Sequence, residues 1–181
     1  LVILWMVPVL WTPGTVLRGP LPEKPLLIAH RGASKLAPEN TLAAMQKAAI
    51  LGVYGLETDI TISRDGVLFL MHDPTLARTT NVAEIFPQRG NDSADSFTWI
   101  ELAQLSAGQW FVEQDPFGTI ASGLVSTEQA AHYRSEPIPA LADLLAILQT
   151  NNLRFIFDLR IPSSQDSNSA GNPLAEQTLD Q

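Results

Sequence analysis

The stretch Tyr54-Gly55-Leu56-Glu57-Thr58-Asp59-Ile60-Thr61-Ile62 decides how this chain is read. Its apolar and β-branched residues predict a strand. Glu57 and Asp59 are two residues apart, so a strand presents both carboxylates on one face. Two ionised carboxylates held together on an apolar strand repel each other. A bound cation removes that repulsion, and an all-oxygen donor set suits calcium or magnesium. A solvated strand face is the alternative if the pair is taken alone. The apolar runs on either side in sequence weigh against it.

Those flanking runs have a common form. Upstream, Leu26-Leu27-Ile28-Ala29 reads as a short strand buried on both faces, and it stops abruptly at His30-Arg31-Gly32. Asn40 or Thr41 then caps a helix over Leu42 to Leu51, rich in Ala, Leu, Met, Gln and Lys, which Gly52 closes. Downstream, Ser63-Arg64-Asp65-Gly66 is a turn, and Val67 to Met71 is a third apolar strand ending in His72-Asp73-Pro74. Asp73, like Asp65 and Arg64, reads as turn chemistry. The pattern loosens from Leu76 to Pro137, with one helical piece near Trp99 to Leu105. An insertion between core elements is expected there, over about residues 82–137. It holds the glycosylation sequon Asn91-Asp92-Ser93. Order resumes with a helix from Leu141 to Leu148 and a strand from Leu153 to Leu159, with Asp158 and Arg160 at its end.

The order is strand, helix, strand, strand, insertion, helix, strand, and every strand ends in charged or histidine side chains. Functional groups at the carboxyl ends of consecutive strands are what a TIM-type (β/α) barrel provides. A complete barrel takes roughly 200 residues or more. The core from Leu26 to Pro162 supplies four strands, so the expected fold is α/β, the first half of such a barrel.

Composition bounds the rest. The chain has 181 residues, 45% of them hydrophobic, which suits one domain with a packed core. A formal net charge of -8 argues against a nucleic-acid backbone as partner, which demands a basic footprint. An anionic small substrate stays compatible, because one arginine and one metal ion reverse the local field. There is no cysteine, hence no disulfide, thiolate nucleophile or cysteine zinc site. Leu1 to Leu17 carry no charge. Three readings compete: the end of a membrane span, the apolar part of a signal sequence, and a buried strand. The missing basic region and initiator Met favour the membrane span. Residues 18–25 read as a proline-rich linker, and residues 163–181, rich in Ser, Gln, Asn and Asp, as a disordered tail.

Two of the three histidines, His30 and His72, fall where a buried strand breaks into polar sequence, and either can act as general acid or base. His132, inside the insertion, reads as structural or surface. Arg31 can reach an anionic phosphate as a forked donor. Asp158 either completes a metal's ligands or caps its strand by pairing with Arg160. The set suits metal-assisted phosphodiester cleavage, one histidine taking a proton and the other returning one to the leaving alkoxide.

At this level of detail the residues resemble the glycerophosphodiester phosphodiesterase family. The resemblance is carried by Ala29-His30-Arg31-Gly32, Ala37-Pro38-Glu39-Asn40-Thr41, Glu57-Thr58-Asp59, Asp65-Gly66 and Met71-His72-Asp73 in order. Arg78-Thr79-Thr80-Asn81 and Ile138-Pro139-Ala140-Leu141 extend it. It implies a β/α barrel, a divalent cation and hydrolysis of glycerophosphodiesters such as glycerophosphoinositol or glycerophosphocholine. It further implies His30 and His72 as the acid/base pair, and Glu57, Asp59 and Asp158 as metal ligands. Arg31, Asn40 and Arg160 are implied as substrate contacts, with Glu39 supporting them from the neighbouring loop. In such enzymes the substrate's own neighbouring hydroxyl can serve as nucleophile. Phe157-Asp158-Leu159-Arg160 and Ala107-Gly108-Gln109-Trp110-Phe111 resemble the family's membrane-spanning branch, whose catalytic domain lies outside the cell. Family catalytic domains continue through four more strands. A truncated, inactive, membrane-tethered product with a binding or regulatory role is therefore the competing expectation. The sequence indicates no specific protein partner.

Overall fold

The structure, a computed structural model, describes residues 23–160. The expected apolar anchor at 1–17, most of the linker and the tail at 163–181 lie outside the described residues. Among the described residues, no helix is long and apolar enough to cross a membrane.

Four strands form one sheet: β1 (Ile28–His30), β2 (Gly55–Ile62), β3 (Leu68–Leu70) and β4 (Arg154–Leu159). β1 runs parallel to β2 with His30 opposite Glu57, and β4 runs parallel to it with Asp59 opposite Asp158. β3 runs antiparallel, with Ile62 opposite Leu68 and Ile60 opposite Leu70. Here the structure departs from a simple series of barrel strands. A parallel return needs a crossover of about a dozen residues or more, whereas residues 63–67 suffice only for a hairpin. The turn is locked by Ser63, whose hydroxyl accepts from the Val67 N–H at 2.9 Å and donates to Asp65 at 2.7 Å. Arg154–Leu159 is thus the third parallel strand of the barrel wall.

The register also separates the two edges of β2. Gly55 to Glu57 pair with both β1 and β4, and Ile60 pairs with both β3 and β4. β1 and β3 therefore share one edge of β2, approaching each other head-on, while β4 takes the other.

Helices α1 (Leu42–Ile50) and α6 (Leu141–Asn151) cover one face of the sheet. Thr41 caps α1 by accepting the Ala44 N–H at 3.3 Å. Asn152 ends α6 in the left-handed conformation. Met45 and Ala48 of α1 and Leu141, Leu144 and Leu148 of α6 pack on Leu56 and Ile60 of β2. Each such large side chain contributes about 1.5–3 kcal/mol by leaving water. Alternation along β2 then turns Glu57 and Asp59 to the opposite face, the barrel interior.

The expected loop-rich insertion is more ordered than its sequence suggests. It holds α2 (Val82–Ile85), α3 (Trp99–Leu102), α4 (Gln109–Gln114), α5 (Thr127–Tyr133) and a 3-10 turn at Ala94–Ser96. Helices this short hold barely one or two periods, too few for a pattern to show. They build two further apolar clusters, one around Phe69, Phe97 and Leu102, the other around Ala44, Trp110, Phe111 and Tyr133. A Cβ on Gly108 would lie 1.8 Å from the Tyr133 carbonyl oxygen, so only glycine lets α4 approach α5. Buried Glu136 closes the insertion onto the barrel by accepting the Ala43 N–H, in the first turn of α1, at 2.9 Å.

The expectation of a doubly buried first strand is corrected. Leu26, Leu27 and Ile28 are 68%, 64% and 47% exposed. Among the described residues β1 pairs along one edge only, so its apolar run has no second wall.

Candidate active site

The chain leaves β1 through two left-handed residues, Arg31 (φ 56°) and Gly32 (φ 75°). At Gly32 a Cβ would sit 2.7 Å from the Ala44 backbone, which explains the glycine. Arg31 has no such excuse. Its strained backbone is held by the bond it permits, in which the Arg31 N–H donates to Glu57 Oε2 at 2.9 Å. Asn40 is left-handed too (φ 54°), and its N–H returns to the Arg31 carbonyl at 3.2 Å.

Glu57, Asp59 and Asp158 each offer one oxygen, and the three oxygens lie within 4.8 Å of one another. Asp59 is the buried centre. Its Oδ2 accepts from Asn40 Nδ2 at 2.9 Å and lies 3.2 Å from Arg31 Nε. Its Oδ1 accepts from Arg160 Nε at 3.0 Å and Nη2 at 2.5 Å. The same Nη2 is 2.9 Å from Asp158 Oδ2. Arg160 thus bridges two of the three carboxylates, which shows that positive charge fits between them. Its hydrogen bond to Asp59 raises its own pKa. Arg31 Nε is buried and too poorly aligned to hydrogen-bond, so it acts on Asp59 as a neighbouring charge. An oxygen-only cluster is a fitting donor set for calcium or magnesium.

Asn40, expected as a substrate contact, reaches Asp59. It is buried, and both ends of its amide are committed, since Oδ1 also accepts from the Thr58 hydroxyl at 2.8 Å. It orients Asp59.

The two histidines arrive from one edge. His30 ends β1, largely exposed, with Nε2 3.8 Å from Glu57 Oε2. His72 comes back down the hairpin, because β2 overshoots the cluster and β3 returns; the Met71 N–H donates to the Asp59 carbonyl at 3.1 Å. The hairpin, not a second parallel strand, carries His72 to the level of Asp59.

Two residues of this site escape a reading by residue type. Asp73, expected to be turn chemistry, lies with Oδ1 2.5 Å from His72 Nδ1. The Arg78 side chain hydrogen-bonded to Asp73 holds its carboxyl down at about 2; burial opposes this and His72 assists. Arg78 also donates to Glu39 through Nη1 at 3.1 Å and Nη2 at 2.7 Å. Glu39 in turn accepts from Arg31 Nη1 at 3.0 Å. Burial pushes the Glu39 carboxyl up, but the bonds and charges of Arg78 and Arg31 outweigh it, and the net direction is down. The signal was present as a carboxylate directly after a site histidine, but its arginine lies five residues on, in a loop without periodicity. His132 sits exposed on α5, away from this constellation.

Comparison with known proteins decides what this constellation belongs to. Residues 30–175 match the model of the glycerophosphoryl diester phosphodiesterase family. The chain belongs to this family. It is 47% identical over 142 residues to the mouse glycerophosphoinositol inositolphosphodiesterase GDPD2, covering 78% of this chain and 26% of that protein. It is 49% identical over 142 residues to the human glycerophosphodiester phosphodiesterase domain-containing protein 5, covering 78% of this chain and 23% of that protein. Among solved structures, it resembles an Oleispira antarctica phosphodiesterase in complex with sn-glycerol-3-phosphate. That likeness has a TM-score of 0.58 at 30% identity, over 75% of this chain and 44% of the other. An Agrobacterium tumefaciens glycerophosphodiester phosphodiesterase gives a TM-score of 0.55 at 30% identity, over 73% and 46%. The fold is therefore the family's TIM barrel, of which this sheet is a part. The chain spans about a quarter of the length of the curated relatives and just under half of these two solved chains. The match to the family model takes in every residue of the constellation, from His30 to Arg160.

Proposed function

We propose that the protein hydrolyses glycerophosphodiesters, with His30 and His72 as the acid/base pair and a divalent cation held by Glu57, Asp59 and Asp158. One observation carries the reading: three converging carboxylates lie at the level to which the hairpin returns an oriented histidine. A bound calcium or magnesium ion supplies neutralisation of charge building on the phosphoryl oxygens. Arg31 contacts the phosphate, tied by Glu39 and set beside Asp59. Asp73 accepts at His72 Nδ1, which leaves Nε2 to exchange a proton with the substrate. Exposed His30 meets the other oxygen of the scissile ester. Its exposure suits a group that must reach an alcohol of variable size. The printed name of the GDPD2 relatives favours glycerophosphoinositol as substrate.

A second reading is a binding or regulatory product without turnover. It is favoured by the open face of the sheet, where Ile156 of β4 is 48% exposed. The 181-residue chain, assayed on glycerophosphoinositol and glycerophosphocholine with and without calcium or magnesium, separates the two. Metal-dependent release of glycerol 3-phosphate or inositol phosphate, abolished by His72→Ala, establishes catalysis. A folded, metal-binding sample without turnover establishes the second reading.

We further propose a membrane tether through the uncharged segment at 1–17 and an extracellular or lumenal catalytic domain. The sequon residue Asn91 is exposed, so its acceptor nitrogen is accessible there. Endoglycosidase digestion of the protein from cells should increase its gel mobility; unchanged mobility counts against that topology.

A further inference from the structure

We propose that Arg78 is a positioning residue that sets the ring of His72 and the guanidinium of Arg31 together. This rests on reading His72 and Arg31 as acid/base group and phosphate contact. Arg78 forks in two directions. Nε and Nη2 donate to the two oxygens of Asp73 at 2.6 and 3.0 Å. Nη1 and Nη2 donate to the two oxygens of Glu39 at 3.1 and 2.7 Å. Four of its five N–H groups are therefore spent on carboxylates, which leaves little to offer a phosphate. Each carboxylate then holds a site residue, Asp73 the Nδ1 of His72 and Glu39 the Nη1 of Arg31. One planar group thus joins the loop after β1 to the loop after β3, 39 residues apart in sequence. Those are the two loops whose head-on approach forms the site.

Arg78 is itself supported. Its guanidinium carbon lies 5.8 Å from the centre of the Trp110 ring, on α4 of the insertion. Trp110 is fixed in turn by its indole N–H, which donates to the Ala107 carbonyl at 2.9 Å. The Ala107-Gly108-Gln109-Trp110-Phe111 stretch is thereby tied to the acid/base apparatus through a single side chain.

The chemical consequence lies in the tautomer of His72. An ionised Asp73 pinned by Arg78 makes Nδ1 the protonated nitrogen and frees Nε2. Without Arg78 the Asp73 carboxylate can turn to water, and the neutral ring drifts toward the Nε2–H form that free imidazole side chains prefer. Lysine cannot replace Arg78 fully, because a point charge cannot fork onto two carboxylates.

The test reads the His72 ring of the full chain by long-range 1H–15N correlation at a pH where the ring is neutral, with the signal assigned through His72→Gln. Wild type should show the Nδ1–H pattern. Arg78→Met, which keeps an apolar stem against Trp110, should show a mixed or Nε2–H pattern, and Arg78→Lys an intermediate one. Turnover supplies the second readout. Arg78→Met should lower kcat about tenfold to a hundredfold as the His72 ring loses its setting, with a smaller rise in KM as Arg31, the proposed phosphate contact, loosens. A wild-type ring pattern in folded Arg78→Met overturns the proposal, as does a raised KM at unchanged kcat. If Arg78→Met does not fold, a wild-type ring pattern with wild-type kcat in Arg78→Lys overturns it. A wild type without turnover defeats the functional reading alone, since the ring pattern still decides the role of Arg78.

Discussion

The two edges of β2 are built differently. On the edge shared by β1 and β3, the returning hairpin and the insertion supply buried support, with Phe69, Phe97, Phe111 and Leu102 fully buried. The charges there, Glu39, Asp73, Arg31 and Arg78, are tied into one bonded chain. On the edge held by β4, partly buried residues alternate with exposed ones along the strand, and Asp158 keeps a side-chain exposure of 49%. Arg160 is the charge partner there, shared between Asp59 and Asp158. One arginine, Arg78, is committed to carboxylates that position other groups. The other stands between carboxylates proposed to hold a cation. Two arginines with the same bonding chemistry thus sit in different settings: the first ties carboxylates that hold other side chains, and the second lies on carboxylates proposed to hold a cation.

Asp59 lies where both edges meet, so losing its charge should have the largest effect. Asp59→Asn keeps the size but removes a ligand and the counter-charge to Arg31 and Arg160. Turnover should fall at least about a thousandfold, several kcal/mol of barrier, and calorimetric binding of calcium or magnesium should disappear. Retained metal affinity would place the cation elsewhere.

Stability should split between the edges. Phe111→Ala in the insertion is expected to cost about 3–5 kcal/mol in urea unfolding. Ile156→Ala on β4 should cost less than about 1 kcal/mol, since that side chain is already half in water. Equal losses would mean that the β4 edge is covered in solution.

Arg160 gives a smaller effect of unusual sign. Arg160→Ala should tighten calcium or magnesium binding about fivefold, roughly 1 kcal/mol, by removing a positive charge from the cluster. It should weaken substrate binding at the same time. A looser metal site in this variant would show that Arg160 supports the ligands rather than opposing the ion.

The smallest effect is the acid limb of stability. The Asp73 carboxyl is depressed from an ordinary 3.8 to about 2 in the folded protein. A depressed folded pKa means stabilisation that is present above about 3.8 and is lost as pH falls through about 2. Urea midpoints measured down that range should fall in wild type and stay flatter in Asp73→Asn. Parallel curves would remove Asp73 from the acid response.

The sequence was legible wherever chemistry and period coincide in a few residues. The Glu57-Thr58-Asp59 alternation announced two carboxylates on one strand face. The apolar runs ending in His30 and His72 marked the site, and the Asp-Gly turn at 65–66 marked the reversal before β3. Read more strictly, that four-residue turn already forbade a parallel third strand. Asp158 and Arg160 were legible as a pair with two possible roles, and the structure shows them both bonded to each other and gathered around Asp59.

What the sequence by itself determined is local: the donor types, the strand that carries them, the helix caps and the charge balance, all set by neighbours a few residues away. Tertiary structure alone decided the rest. It brought Arg160 onto Asp59, 101 residues apart. It committed the Asn40 amide to Asp59 and Thr58, and it tied Asp73 and Arg78 to His72 and Glu39. The physical reason is that a guanidinium or carboxylate looks the same in sequence whether it faces water or a buried partner. Only packing, here the hairpin return and the insertion resting on α1, fixes which opposite charge lies within 3 Å.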